Sequence, residues 1–158
     1  MLDGAARLTD LFEQTEALGM NSLATTDHGF VFGAFDFWSK AKAAGIKPII
    51  GVEAYVTPGT ARQDRTRVQW GNGGRGDVSG AGAYTHMTLL ASSTEGMHNL
   101  FRMSSLASLE GFLYKPRMDR ELLNTYGKGL IGTTGCPSGE VQTRLRLGQY
   151  KEAVAAAA

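Results

Sequence analysis

Strand-length apolar runs alternate with stretches of helical spacing along most of this chain, and that alternation narrows the fold more than any other feature. Leu8, Leu11, Phe12 and Leu18 recur at helical intervals, with Gly19 as the stop. Ser22 to Thr26 reads as a short buried strand ending at Asp27 and His28. Phe35, Trp38 and the alanines up to Ala43 predict a second helix closed by Gly45. The run KPIIGVEAYV, Lys47 to Val56, is the clearest strand, with Glu53 near its far end. A Gly- and Arg-rich stretch from Thr57 to Ala83 is expected to be a mobile surface loop. Tyr84 to Ala91 predicts a strand, Gly96 to Leu109 and Arg120 to Tyr126 two helices, and GLIGTTG a further strand leading into Cys136. Ser138 is placed to cap a last helix running through Val141, Leu145 and Tyr150. An order of this kind points to a parallel α/β sheet, open or closed into a barrel. In either case the chemistry collects at the C-terminal ends of the strands.

The residues at those ends are of one chemical kind. Asp27 and His28 follow the first strand, Glu53 lies near the end of the second, and Cys136 follows the fourth. His86 stands near the start of its strand and fits the pattern less well. Asp3 precedes the first helix. Imidazole, carboxylate and thiolate together are the ligand set of zinc and similar transition metals. A metal would offset the cost of placing charge beside apolar strands, and would acidify a coordinated water to serve as nucleophile at neutral pH. Each residue also has a structural reading. Asp27 fits a helix cap, His28 a turn, Cys136 a small buried side chain, His86 an ordinary strand position and Asp3 a solvated site. Glu53 resists such a reading, because a carboxylate inside an apolar strand needs a partner. His98, on a predicted helix, reads as structural.

Two basic stretches raise a second kind of contact. In YKPRMDR, Lys115, Arg117 and Arg120 cluster beside a proline and suit a phosphate, or equally a solvated helix start. Arg62, Arg65, Arg67 and Arg75, with Trp70 among them, suit a nucleic-acid backbone and a stacked base, or a flexible insertion. The formal charge of +1 supplies no global attraction to nucleic acid or membrane. One cysteine excludes an internal disulfide and agrees with a reducing compartment. No apolar run nears the roughly 18 residues of a membrane span, and no leader pattern opens the chain, so a cytoplasmic protein without membrane contact is expected.

LATTDHG, KPIIGVEAYV, HMTLLA, YKPRMDRELL and GLIGTTGCPSGEVQTRL occur here in order. With these motifs the chain resembles the N-terminal polymerase and histidinol phosphatase (PHP) domain of the bacterial DNA polymerase III alpha subunit, over nearly its whole length. The Gly/Arg stretch at 57–83 looks like an insertion of the actinobacterial members. The resemblance implies a distorted (β/α)7 barrel with a multinuclear metal cluster, zinc with manganese and magnesium as alternatives. It carries Asp3, His28, Glu53, His86 and Cys136 onto ligand positions. It also implies metal-dependent 3′–5′ proofreading exonuclease activity, with a coordinated water as nucleophile. Implied partners are primer-template DNA and other subunits of the replicative polymerase holoenzyme, such as the sliding clamp. The family's opening HxH pair, closing DxH pair and polymerase domains have no counterpart in these residues. Residues 1–158 are therefore expected to be a partial PHP domain lacking its first and last strands, inactive in isolation. A free-standing histidinol-phosphatase-like phosphoesterase and a non-catalytic structural module of the polymerase are the rival readings.

Overall fold

The computed structural model describes residues 4–70, 81–134 and 136–158. Helix α1 (Leu8–Ala17) leads through Gly19 into β1 (Ser22–His28). Helix α2 (Ala34–Ala43) leads through Gly45 into β2 (Lys47–Val56). A short ladder of β3 (Val68–Gln69) and β4 (Ala81–Gly82) precedes β5 (Thr85–Ala91). Then come α3 (Thr94–Glu110), β6 (Arg117–Met118), α4 (Arg120–Tyr126) and β7 (Leu130–Thr133). Two helices, α5 (Glu140–Arg146) and α6 (Tyr150–Ala157), complete the described residues.

The result is a mixed α/β fold around a five-stranded sheet, ordered β1-β2-β5-β7, with β6 beside the far end of β2. Strand β1 runs parallel to β2, and so does β6. Strand β5 is antiparallel to both β2 and β7. The all-parallel expectation is thus corrected at one strand. The chain enters β5 from the β3–β4 ladder at the far end of β2, so no crossover returns it to the near end.

Strand β2 is central and sets the two sides of the sheet. Its side chains alternate with period two. Ile50, Val52, Ala54 and Val56 join the core with Phe12, Phe37, Ala41, Leu100 and Met103 from the helices. Glu53 and Tyr55 therefore point to the opposite side. Helix α3 begins at the capping Ser93, whose hydroxyl accepts from the Gly96 amide.

Three further expectations are corrected. The predicted last helix is two helices, separated at Gly148, whose φ of 73° is left-handed. Ser138 does not cap α5; Gly139 holds that position, with no side-chain cap. The stretch after β2 is not simply a surface loop, for Thr57 and Arg62 are buried. Its residues 71–80, with Arg75, lie outside the described residues.

Candidate metal centre

Glu53 sits three positions before the end of β2, on the side of the strand opposite its core-facing residues, where three other segments reach it. Strand β1 places His28 directly beside Glu53 in the parallel register. The His28 Nδ1 lies 2.9 Å from Glu53 Oε2. From the other edge of β2, His86 Nδ1 lies 2.5 Å from Glu53 Oε1. Two imidazoles thus hold both oxygens of one carboxylate, which is only 21% exposed. That is the partner a charged group inside an apolar strand requires.

The reversed direction of β5 explains why His86 belongs here. His86 is near the start of its strand, and in an antiparallel pair the start of one strand lies at the end of the other. His86 faces Tyr55 across the ladder, two positions beyond Glu53. Its ring stands edge-on to Tyr55 at 5.2 Å.

The fourth segment is the turn after β7. The Cys136 carbonyl accepts from the Gly139 amide at 2.9 Å, and the Ser138 carbonyl accepts from the His86 amide at 3.3 Å. A Cβ on Gly139 would lie 3.0 Å from the Cys136 carbonyl and 3.1 Å from that of His86, so the turn fits best with glycine. This hook brings the thiol to the cluster: one ligand atom each from Glu53, His86 and Cys136 lie within 4.8 Å of one another. His28 joins the group through Glu53. A carboxylate, an imidazole and a thiol at this spacing fit zinc and its neighbours, which accept mixed N, O and S donors. Asp3 lies outside the described residues.

The neighbours shape the rim. Gly29 turns the chain out of β1 with φ 74°, and a Cβ there would meet Pro116 and Tyr55 at 2.8 Å. Burial pushes the Tyr55 phenol above its ordinary pKa, against the pull of Lys115. The Lys115 ammonium lies 5.4 Å over the Tyr55 ring. Asp27, adjacent to His28, is turned away from the cluster. Its Oδ2 accepts from the amide of Gly33, the residue before α2, but Asp27 is not the helix cap expected from the sequence: Gly33 holds that position with no side-chain cap.

The basic residues separate sharply. Lys115 and Arg120 are exposed, and Arg120 pairs with Glu140 at 3.4 Å. Arg117, 1% exposed, is corrected as a phosphate contact. Its guanidinium donates to the carbonyls of Gly111, Ala83 and Arg62, and burial pulls its pKa below the ordinary value. Arg62 is likewise corrected as a nucleic-acid contact: it is buried against Asp119, Glu110 and Glu121. Arg65 and Arg67 remain exposed. Trp70 has the Arg144 guanidinium 4.5 Å over its ring. Tyr55 and Tyr84 were not singled out from sequence. Spacings of two, Glu53 to Tyr55 and Tyr84 to His86, carried the available signal, since such residues share a face in extended chain.

A family model described as PHP domain matches residues 1–158. The DNA polymerase III subunit alpha of Saccharopolyspora erythraea is 56% identical, over 99% of this chain and 14% of its own length. The subunit of the same name from Mycobacterium tuberculosis H37Rv is 56% identical, over 100% of this chain and 14% of its own. That of Thermus aquaticus is 45% identical, over 96% of this chain and 12% of its own. The chain thus spans about one seventh of the length of these curated actinobacterial relatives.

Proposed function

This chain belongs to the PHP domain family, and from that premise we propose that it forms part of a replicative DNA polymerase III alpha subunit and carries a metal-dependent phosphodiester hydrolase site. The reaction is removal of nucleotides from a DNA 3′ end, a proofreading 3′–5′ exonuclease. One observation carries the reading: Glu53, His86 and Cys136, from three separate segments, offer ligand atoms within 4.8 Å on the side of the sheet away from its core.

Glu53, His86 and Cys136 would hold a divalent ion, with His28 orienting the Glu53 carboxylate from its second oxygen. When bound, zinc supplies positive charge to offset the phosphoryl oxygens and acidifies water; the thiol and imidazole donors suit it better than magnesium, which takes oxygen ligands. The protein's own part is positional. The two ladders of β2 fix His28 and His86 relative to Glu53, and the Cys136–Gly139 turn fixes the thiol. Lys115 and Arg120, both exposed near this end of the sheet, are proposed to attract the phosphate backbone.

Asp3, outside the described residues, is proposed as a further ligand. The family's HxH and DxH pairs do not occur among the 158 residues, so this chain alone is expected to hydrolyse DNA weakly or not at all. The names of the relatives speak against a free-standing histidinol phosphatase. In a whole polymerase the site would act on primer-template DNA, in the cytoplasm, alongside other holoenzyme subunits such as the sliding clamp. The test is zinc content and 3′-end degradation in the polymerase carrying this segment, native and His28→Ala. Loss of both in the variant is expected. Equal metal and equal degradation would leave a non-catalytic structural module instead.

A further inference from the structure

A pocket of about 280 Å³ opens beside the candidate metal centre and shares His86 with it. Its wall includes Arg67, Trp70, Tyr84, Tyr114 and Ser138. We propose that this pocket is a nucleobase-stacking subsite, which holds the unpaired terminal base of a DNA strand while the attached phosphate reaches the Glu53–His86–Cys136 group. The inference rests on the phosphodiester hydrolase reading for the identity of the phosphate's destination.

The three aromatic rings come from distant segments: Trp70 from the end of the β3 arm, Tyr84 from the approach to β5, and Tyr114 from the turn between α3 and β6. Each is held. The Trp70 ring lies under Arg144 and its carbonyl accepts from the Gln149 amide. Tyr84 stands edge-on to Tyr55 at 5.0 Å. Tyr114 sits at φ 59°, the single non-glycine residue with positive φ among the described residues, and is 75% exposed. A left-handed conformation is costly for a bulky residue, and burial does not repay it here. Flat rings beside an accessible pocket are what a base requires, because every base has a π-face. Arg67 adds positive charge at the same wall, suited to the backbone of the strand. His86, common to pocket and metal group, sets base and phosphate next to each other.

The test uses the 158-residue chain in EDTA, so that base binding is read apart from metal. Trp38→Phe leaves Trp70 as its one tryptophan. Titration with deoxyadenosine monophosphate is expected to quench Trp70, and deoxyribose 5-phosphate is expected to have no effect. Single-stranded oligodeoxyadenylate should quench as the mononucleotide does, and a blunt duplex should not. Tyr114→Asn, a residue tolerated at left-handed φ, should weaken the mononucleotide about tenfold with an unchanged circular dichroism spectrum. Equal responses to nucleotide and sugar phosphate, or no quenching at all, would overturn the subsite. So would unchanged affinity in Tyr114→Asn. Quenching by the mononucleotide but not by the oligonucleotide would overturn the strand-end reading. Zinc binding fails separately: its loss with quenching intact removes the hydrolase reading and keeps the base site.

Discussion

Two clusters of charge in this molecule are built alike and end differently. Around Glu53, groups from β1, β2, β5 and the turn after β7 converge. Around Arg62, groups from the stretch after β2, the end of α3 and the start of α4 converge. The Arg62 cluster is closed at its centre, where Arg62 and Asp119 are buried. Its guanidinium meets Glu110 at 2.6 Å, and Asp119 and Glu121 at 3.0 Å. Asp119 also accepts from the Leu122 amide, capping α4, and from the Arg62 amide. Burial alone would raise the Asp119 pKa, but the two amides and the Arg62 guanidinium outweigh it and hold it below the ordinary carboxylate value. The Glu53 cluster is half-exposed: the His28 side chain is 49% exposed. It gathers carboxylate, imidazole and thiol, all able to bind one cation. Convergence of charge is therefore no mark of function by itself. A cluster built on a buried ion pair, as Arg62 is with Asp119, is structural, whereas one that gathers metal-binding donors beside solvent is open to an ion.

The largest expected effect tests the closed cluster. Arg62→Ala leaves Asp119 buried without its counter-charge and should cost about 3–5 kcal/mol in urea unfolding. A loss below about 1 kcal/mol would end the distinction drawn here. Next, Glu53→Gln should lower zinc affinity at least about 100-fold by calorimetry, while the urea midpoint hardly moves. If the variant unfolds as readily as Arg62→Ala, both clusters are structural. A pH series sharpens the contrast further. The Asp119 pKa is lowered on folding, so its contribution is complete above the unfolded value of about 3.9 and is lost as pH falls through the folded value. The stability gap between native chain and Asp119→Asn should therefore narrow in acid, and a gap independent of pH would refute the assignment. The smallest effect separates neighbours in the sequence. Asp27→Ala should cost about 1 kcal/mol through the lost hydrogen bond from the Gly33 amide and leave zinc affinity unchanged.

The arginines show where sequence reading runs out. In YKPRMDR, three cations within six residues look equivalent, yet Arg117 is buried on three carbonyls while Lys115 and Arg120 face solvent. The two-residue strand β6 causes this, pairing Arg117 with Tyr55 of β2. A strand that short has no period to detect. The break at Gly148 was legible as a glycine, but helical spacing through Leu145 and Tyr150 masked it. By contrast, the bounds of β2 and α4 were readable in full, because a mostly apolar run and short-range helical spacing are local signals.

By itself the sequence determined where most strands and helices form and that acid, imidazole and thiol lie near strand ends, since side-chain period and glycine stops act over a few residues. Tertiary structure alone decided that β5 runs backwards, which turns a misplaced His86 into a neighbour of Glu53. It also decided which arginines are consumed inside the fold. Strand direction and burial depend on partners tens of residues away, and no local pattern encodes the edge on which such a partner will settle.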